Sequence, residues 1–190
     1  MDRMNATMNA IREPARLRAG TPADLDTLLR IDQDASVLFE RAGLFLDLPP
    51  THEFTVSERT RIRASLAAGG AIVAMDVDDH PIGFIAIGAI DDLPYIEQIS
   101  VQPDHMGRGL GATLLDRAFD SLVARRALWL TTYDHLPWNR PFYERHGYVV
   151  VPERDCGIGI RRELEFQRRF LPEPERRVAM CRAARYFEFA

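Results

Sequence analysis

The chain has 190 residues and a formal net charge of −4, a length that suits one folded domain able to bury its own core without staples. The acid excess argues against nucleic acid as a partner, since phosphate binding needs a basic surface. All 24 basic residues are arginine, which excludes Schiff-base lysine chemistry and a P-loop phosphate lysine.

Met1 to Pro14 reads as a flexible leader, mixed in polarity and unlike a signal peptide. Arg16 to Ala19 follows as a short strand. Thr21-Pro22-Ala23-Asp24 has the make-up of a helix start, and Leu25, Leu28, Leu29 and Ile31 supply that helix with an apolar face. Pro49-Pro50 makes Ala42 to Thr55 a loop, after which Ser57 to Ala68 reads as a second helix stopped by Gly69-Gly70.

Ala71 to Val77 and Ile82 to Ile90 are Ile/Val-rich runs around a polar turn, the pattern of a β-hairpin. Tyr95 to Val101 is a further strand. Leu110 to Arg125 carries Leu110, Leu114, Leu115, Ala118, Phe119, Leu122 and Val123 at helical spacing. Leu128 to Tyr133 reads as a strand, Asn139 to His146 as a short helix, and Tyr148 to Val151 as a strand. A helix near Ile160 to Phe170 and a strand near Arg177 to Arg182 complete the order. Hairpins combined with one strand-helix-strand crossover predict an α+β (mixed α/β) fold whose sheet is partly antiparallel and partly parallel.

Chemistry concentrates between Ile99 and Ala112. A strand ends there, a turn follows, and Gly107, Gly109 and Gly111 precede a strong amphipathic helix. Glycines at such a point let a ligand approach the backbone, and free N–H groups at a helix start form a pyrophosphate cradle. Arg108 adds a charge-assisted contact for phosphate. A dinucleotide fingerprint is an alternative, because Gly107-x-Gly109-x-x-Ala112 fits its loose form. Against it, Gln102 to Met106 separate the strand from the first glycine, where that fingerprint turns at once. The remaining alternative is a glycine turn without a ligand.

Val101-Gln-Pro-Asp-His-Met-Gly-Arg-Gly-Leu-Gly-Ala112 resembles the acetyl-CoA signature of the GNAT N-acetyltransferases, with Met106 where that family prefers glutamine or arginine. Pro137-Trp-Asn-Arg-Pro-Phe-Tyr-Glu-Arg-His-Gly-Tyr148 is similar to the family's later aromatic block, with Asn139 closer to the tyrosine than the commonest spacing. The resemblance implies an acetyl-CoA N-acyltransferase fold, a twisted mixed sheet of about seven strands flanked by helices, over residues 15–183, with 184–190 as a tail. It further implies that acetyl-CoA is the co-substrate, bound by Ile99, Ser100, Val101, Met106, Gly107, Arg108, Gly109, Leu110, Gly111, Ala112 and Asn139. An amine, small or peptidic, would then be acetylated by direct attack in a ternary complex.

For the general base the expected residue is Glu97. Simple alternation puts Tyr95, Glu97, Ile99 and Val101 on one face of their strand, with Gln98 and Ser100 on the other. The competing reading is a solvated or ion-paired glutamate. Tyr143 matches the family tyrosine that faces the thioester sulfur and is the expected acid; the competing reading is a core aromatic. Thr131, Thr132 and Tyr133 are candidate substrate contacts, and Asp91-Asp92 reads as a polar turn. A non-catalytic acyl-CoA-binding module and a nicotinamide-dependent oxidoreductase stay open as alternative functions.

Cys156 and Cys181 have neither metal-ligand spacing nor a disulfide pattern, which points to the cytoplasm and to no metal site. The longest apolar run, Ile82 to Ile90, is too short to span a bilayer. The aromatic end, Tyr186 to Phe189, is a candidate homodimer surface.

Overall fold

The computed structural model describes residues 15–46, 48–122 and 127–183. The expected leader, the aromatic tail and the far end of the helix read as reaching Arg125 lie outside the described residues.

Seven strands form one sheet in the order β1-β2-β3-β4-β5-β7-β6. They are β1 (Arg16–Ala19), β2 (Ala71–Met75), β3 (Pro81–Ile90), β4 (Leu93–Val101), β5 (Leu128–Tyr133), β6 (Val149–Val151) and β7 (Arg177–Arg182). Every neighbouring pair is antiparallel except β4 and β5, and beside the crossover that joins those two a second one joins β5 to β6, with β7 filling the place between them, where the sequence predicts one crossover. The expected mixed sheet is therefore present, with its parallel step where strand, glycine loop and helix follow one another.

The helices are α1 (Leu25–Ala35), α2 (Val37–Arg41), α3 (Glu53–Ala67), α4 (Leu110–Ser121), α5 (Arg140–Arg145) and α6 (Ile158–Phe170). No helix among the described residues is long and apolar enough to cross a membrane. Two differ from the sequence reading. The sequence predicts no element over the short α2, whose one turn lacks a periodic apolar face. Its Phe39 packs near Tyr133 and Trp138, so tertiary contacts hold it. Helix α3 begins four residues before Ser57 because His52 caps it, its Nδ1 accepting the Phe54 N–H at 3.1 Å.

The two faces of the sheet carry different layers. Leu114, Leu115 and Ala118 of α4 and Tyr143 of α5 pack on Ile85, Ile96, Leu128 and Met180. On the opposite face, Leu28 and Ile31 of α1 and Ile62 and Leu66 of α3 cover Val73, Phe84 and Ala86. Ile160 and Leu164 of α6 extend that second layer over Tyr95 and Trp129. Burial of these apolar side chains supplies the main stabilisation, roughly 1.5–3 kcal/mol for each large one.

Two features of this frame build the site. Strands β4 and β5 pair at Tyr95 and Trp129 alone and then part, leaving a wedge between Ile96–Val101 and Leu130–Tyr133. Strand β4 also carries an extra residue, since Ala86 pairs with Gln98 while Ile87 pairs with Ile96. Glu97 is that bulged residue.

Candidate active site

A bulge breaks the alternation of a strand, and here it corrects the expected face of Glu97. Ile96, Ile99 and Val101 all belong to the α4 layer. Glu97 instead faces α3 and α6, with Arg61 Nε at 3.6 Å from its Oε2. Gln98 and Ser100 face the same side, and both donate to Asp32 Oδ1 of α1, Ser100 Oγ at 2.6 Å. The hydroxyl of Ser100 is thus committed to Asp32, which leaves that residue only its backbone for a ligand in the wedge.

Glu97 is held closely. Its carboxylate lies over Gly88 of β3, where any side chain would collide with Oε1. Only 7% of the Glu97 side chain is exposed, and Oε2 accepts no hydrogen bond. Burial pushes the carboxyl up to about 7, with Arg61 opposing the rise and Glu163 adding to it. Arg61 in turn pairs with Glu163 Oε1 at 2.8 Å. Beyond them, Gln167 donates to Glu163 and accepts from Thr131 Oγ1, 2.9 Å away, and from Arg177. The Tyr95 hydroxyl closes this network on Thr131 at 2.6 Å. Thr131, a candidate substrate contact, is therefore a structural member of a polar network. Tyr133 gives its hydroxyl to the Pro172 carbonyl at 2.7 Å.

The glycine loop lies at the other end of β4. Gly107 and Gly109 take positive φ angles of 71° and 81°, and a β-carbon on either would meet nothing within 4 Å. Their requirement is conformational, and the space above them is open. Gly109 caps α4, and among the described residues no backbone N–H from Gly107 to Ala112 donates to the fold. The first that does is Thr113, to the Gly109 carbonyl at 3.0 Å. A row of free donors at the N-terminus of a full-length helix fits a pyrophosphate group. Arg108 is exposed beside them, Met106 is half-buried, and Leu110 anchors the loop in the core. Gly111 faces the Phe142 ring of α5 at a distance where a β-carbon would make ordinary contact.

Helix α5 brings Tyr143 into the α4 layer, 8% exposed, its ring 5.7 Å from that of Tyr148. Burial raises its hydroxyl above the ordinary phenol range, so it stays protonated at neutral pH. Asn139 precedes this helix, but its side chain makes no cap; its carbonyl accepts from Phe142 and Tyr143 instead. Asp91 and Asp92 both have positive φ, and Asp91 caps α6 by accepting the Gly159 N–H at 2.6 Å. What read as a plain polar turn is the clamp between the β3–β4 hairpin and α6.

Sequence reasoning missed Asp32, Glu58, Arg61, Gly88, Glu163 and Arg177, which come together only in the fold. One signal was present. Ile96 and Ile99 are both apolar at an odd spacing, which strict alternation cannot put on one face.

A wedge between two parallel strands, a row of free amides below it and a buried carboxylate beside it define an acyl-CoA-dependent transferase. The acetyltransferase (GNAT) family model matches residues 37–148. The chain belongs to that family and is an acetyl-CoA-dependent acetyltransferase. Solved structures share its fold. The PaiA N-acetyltransferase of Thermoplasma acidophilum, in complex with coenzyme A, is 15% identical with a TM-score of 0.60, over 90% of this chain and 99% of that one. A GNAT-family acetyltransferase of Staphylococcus aureus Mu50 is 13% identical with a TM-score of 0.66, over 90% and 100%. The N-acetylglutamate synthase of Neisseria gonorrhoeae, complexed with coenzyme A and N-acetyl-glutamate, is 15% identical with a TM-score of 0.60, over 90% of this chain and 35% of that one.

Proposed function

We propose that this acetyltransferase acts on a primary amine by direct attack in a ternary complex, with Glu97 as general base and Tyr143 as general acid. The observation that carries this reading is the buried, hydrogen-bond-free Oε2 of Glu97 beside the point where β4 and β5 part. A carboxyl poised at about 7 accepts a proton near neutral pH and keeps useful basicity. Acetyl-CoA supplies the thioester, and the free amides from Gly107 to Ala112, with Arg108, would hold its pyrophosphate.

Glu97, directly or through one water, takes one proton of the acceptor ammonium and passes it to solvent, so that the nitrogen lone pair attacks the thioester carbonyl carbon, and it takes the second nitrogen proton as the amide forms. Backbone N–H groups of β4 around Ile99 and Val101 face the open wedge and would stabilise the charge that gathers on the carbonyl oxygen. As the new C–N bond completes, the C–S bond breaks and Tyr143 gives its proton to the leaving sulfur. The proton on Glu97 returns to Tyr143 through solvent, which restores both groups.

Replacing Glu97 by Gln tests the assignment. Acetyl transfer should fall by about 10²- to 10⁴-fold, the usual contribution of a positioned base, while acetyl-CoA binding is kept. Retained binding with no turnover by the wild-type protein on any amine would favour a non-catalytic acyl-CoA-binding module instead.

A further inference from the structure

Arg61 of α3 stands between two acids. Its Nη1 is 2.8 Å from Glu163 Oε1 of α6, while its Nε is 3.6 Å from Glu97 Oε2. The nearer contact has the length of a charge-assisted hydrogen bond, and the farther one is too long for any. Glu97 Oε2 therefore has no hydrogen bond although a guanidinium lies beside it.

The cause of this preference lies on α6. Gln167, one turn beyond Glu163 and buried, donates from its Nε2 to the same Glu163 Oε1 at 2.6 Å. The amide is held in that sense, because its Oε1 accepts from Thr131 Oγ1 at 2.9 Å and from Arg177 Nε at 3.1 Å. Thr131 is itself tied to the Tyr95 hydroxyl at 2.6 Å. Glu163 is thus fixed from the sheet, with Oε1 toward Arg61. The pair also lines a cavity of about 480 Å³ between α3 and α6, where water lowers the cost of keeping two opposite charges. Glu97 lines no part of that cavity.

A carboxylate fully paired with a guanidinium is a weak base, and one buried far from any cation resists ionising near neutral pH. Glu97 lies between these limits, beside an arginine that is near but engaged elsewhere. Burial lifts its carboxyl to about 7, Arg61 lowers it and Glu163 raises it. Around these three, Asp32 of α1, Glu58 of α3, Tyr95 of β4 and Arg177 of β7 act on one another, on Arg61 or on Glu163. On the β3 side Glu97 meets Gly88.

We infer that Glu163 is a positioning residue for acetyl transfer, drawing the Arg61 guanidinium off Glu97 and so leaving the base free to take a proton. This rests on the proposed role of Glu97. Without the Glu163 charge, Arg61 turns to Glu97 and the carboxyl titrates lower. Without Arg61, it titrates higher.

The test follows the ¹³C resonance of the Glu97 side-chain carboxyl with pH in the full chain, assigned by its loss in Glu97→Gln. The midpoint should fall by about one unit or more in Glu163→Gln, the scale of an opposite charge brought close, and rise by about one unit in Arg61→Gln. In the Arg61→Gln background, Glu163→Gln should lower the midpoint much less, because no guanidinium is left to redirect. The inflection of kcat/KM for acetyl transfer to n-butylamine should move in the same directions. An acetyl-CoA-induced rise in Tm confirms that each variant is folded. A merely structural Glu163 would cost Tm and leave the midpoint at its wild-type value, which would overturn the inference. An equal fall with and without Arg61 would overturn it too, since Glu163 would then act by its charge alone. Full turnover by Glu97→Gln would instead remove the base assignment, which the resonance does not depend on.

Discussion

The carboxylate of Glu97 occupies the space that a side chain on Gly88 would fill: a β-carbon there would collide with Glu97 Oε1. The bulge at Glu97 and the bare backbone at Gly88 are therefore two halves of one device. One turns the acid toward α3, and the other makes room for it across the strand pair.

Gly88→Ala should disable the enzyme without emptying it. The methyl group displaces the carboxylate, and kcat should drop by about 10²-fold, the scale of a misplaced catalytic group. Acetyl-CoA affinity, set at the far end of β4, should be unchanged. Steady-state rates alongside isothermal titration with acetyl-CoA check both halves.

Gly109→Ala should do the reverse. Its φ of 81° strains any other residue by about 1–3 kcal/mol. Nothing in the fold lies within 4 Å of the added methyl, but the open space is the cradle itself. The dissociation constant of coenzyme A should rise by about tenfold or more, with kcat at saturation little altered. Titration calorimetry separates this from the accompanying loss of Tm.

Tyr143→Phe should lower kcat by about 10²-fold, the lower end for a positioned acid, and leave KM for acetyl-CoA nearly as it was. The deficit should shrink with acyl donors whose thiols are stronger acids, since those leave without a proton. A deficit independent of the leaving thiol would make Tyr143 a packing residue, as its neighbours Phe142 and Tyr148 are.

Acid residues raised by burial make a signed prediction for stability. Glu58 titrates at about 8 and Glu97 at about 7 in the fold, against about 4.3 for an unperturbed glutamate. The unfolded chain loses these protons first, so their stabilising protonation is complete below about pH 4.3 and is lost as pH rises to about 8. The Tm should therefore decline from mildly acidic to alkaline pH. Glu58→Gln should flatten that decline, with its gain in Tm largest at the alkaline end. Calorimetric scans across the range measure it.

Much of this architecture was legible before any coordinates. Strands β5 and β7 end where their Leu128 to Tyr133 and Arg177 to Arg182 runs end, because apolar residues bounded by polar turns mark a buried strand. The glycine loop was legible too, since positive φ and a helix start leave a local trace. The face of Glu97 was not, because alternation assumes an unbroken strand and a bulge costs only one residue. Nor were Asp32, Glu58 and Glu163, which are ordinary acids on three separate helices. Their meaning arises from packing between α1, α3 and α6, which no short window of sequence contains.

The pH dependence of kcat/KM for acetyl transfer, in wild type and in Glu97→Gln, tests the central claim most directly. Glu97 is shaped by Arg61 of α3, Glu163 of α6 and the backbone of β3, and it titrates at about 7. The rate should rise with pH through an inflection near 7 in the wild type. The variant should be slower by at least about 10²-fold, with that inflection gone. An inflection near 7 that persists in a fully active Glu97→Gln protein would contradict the account.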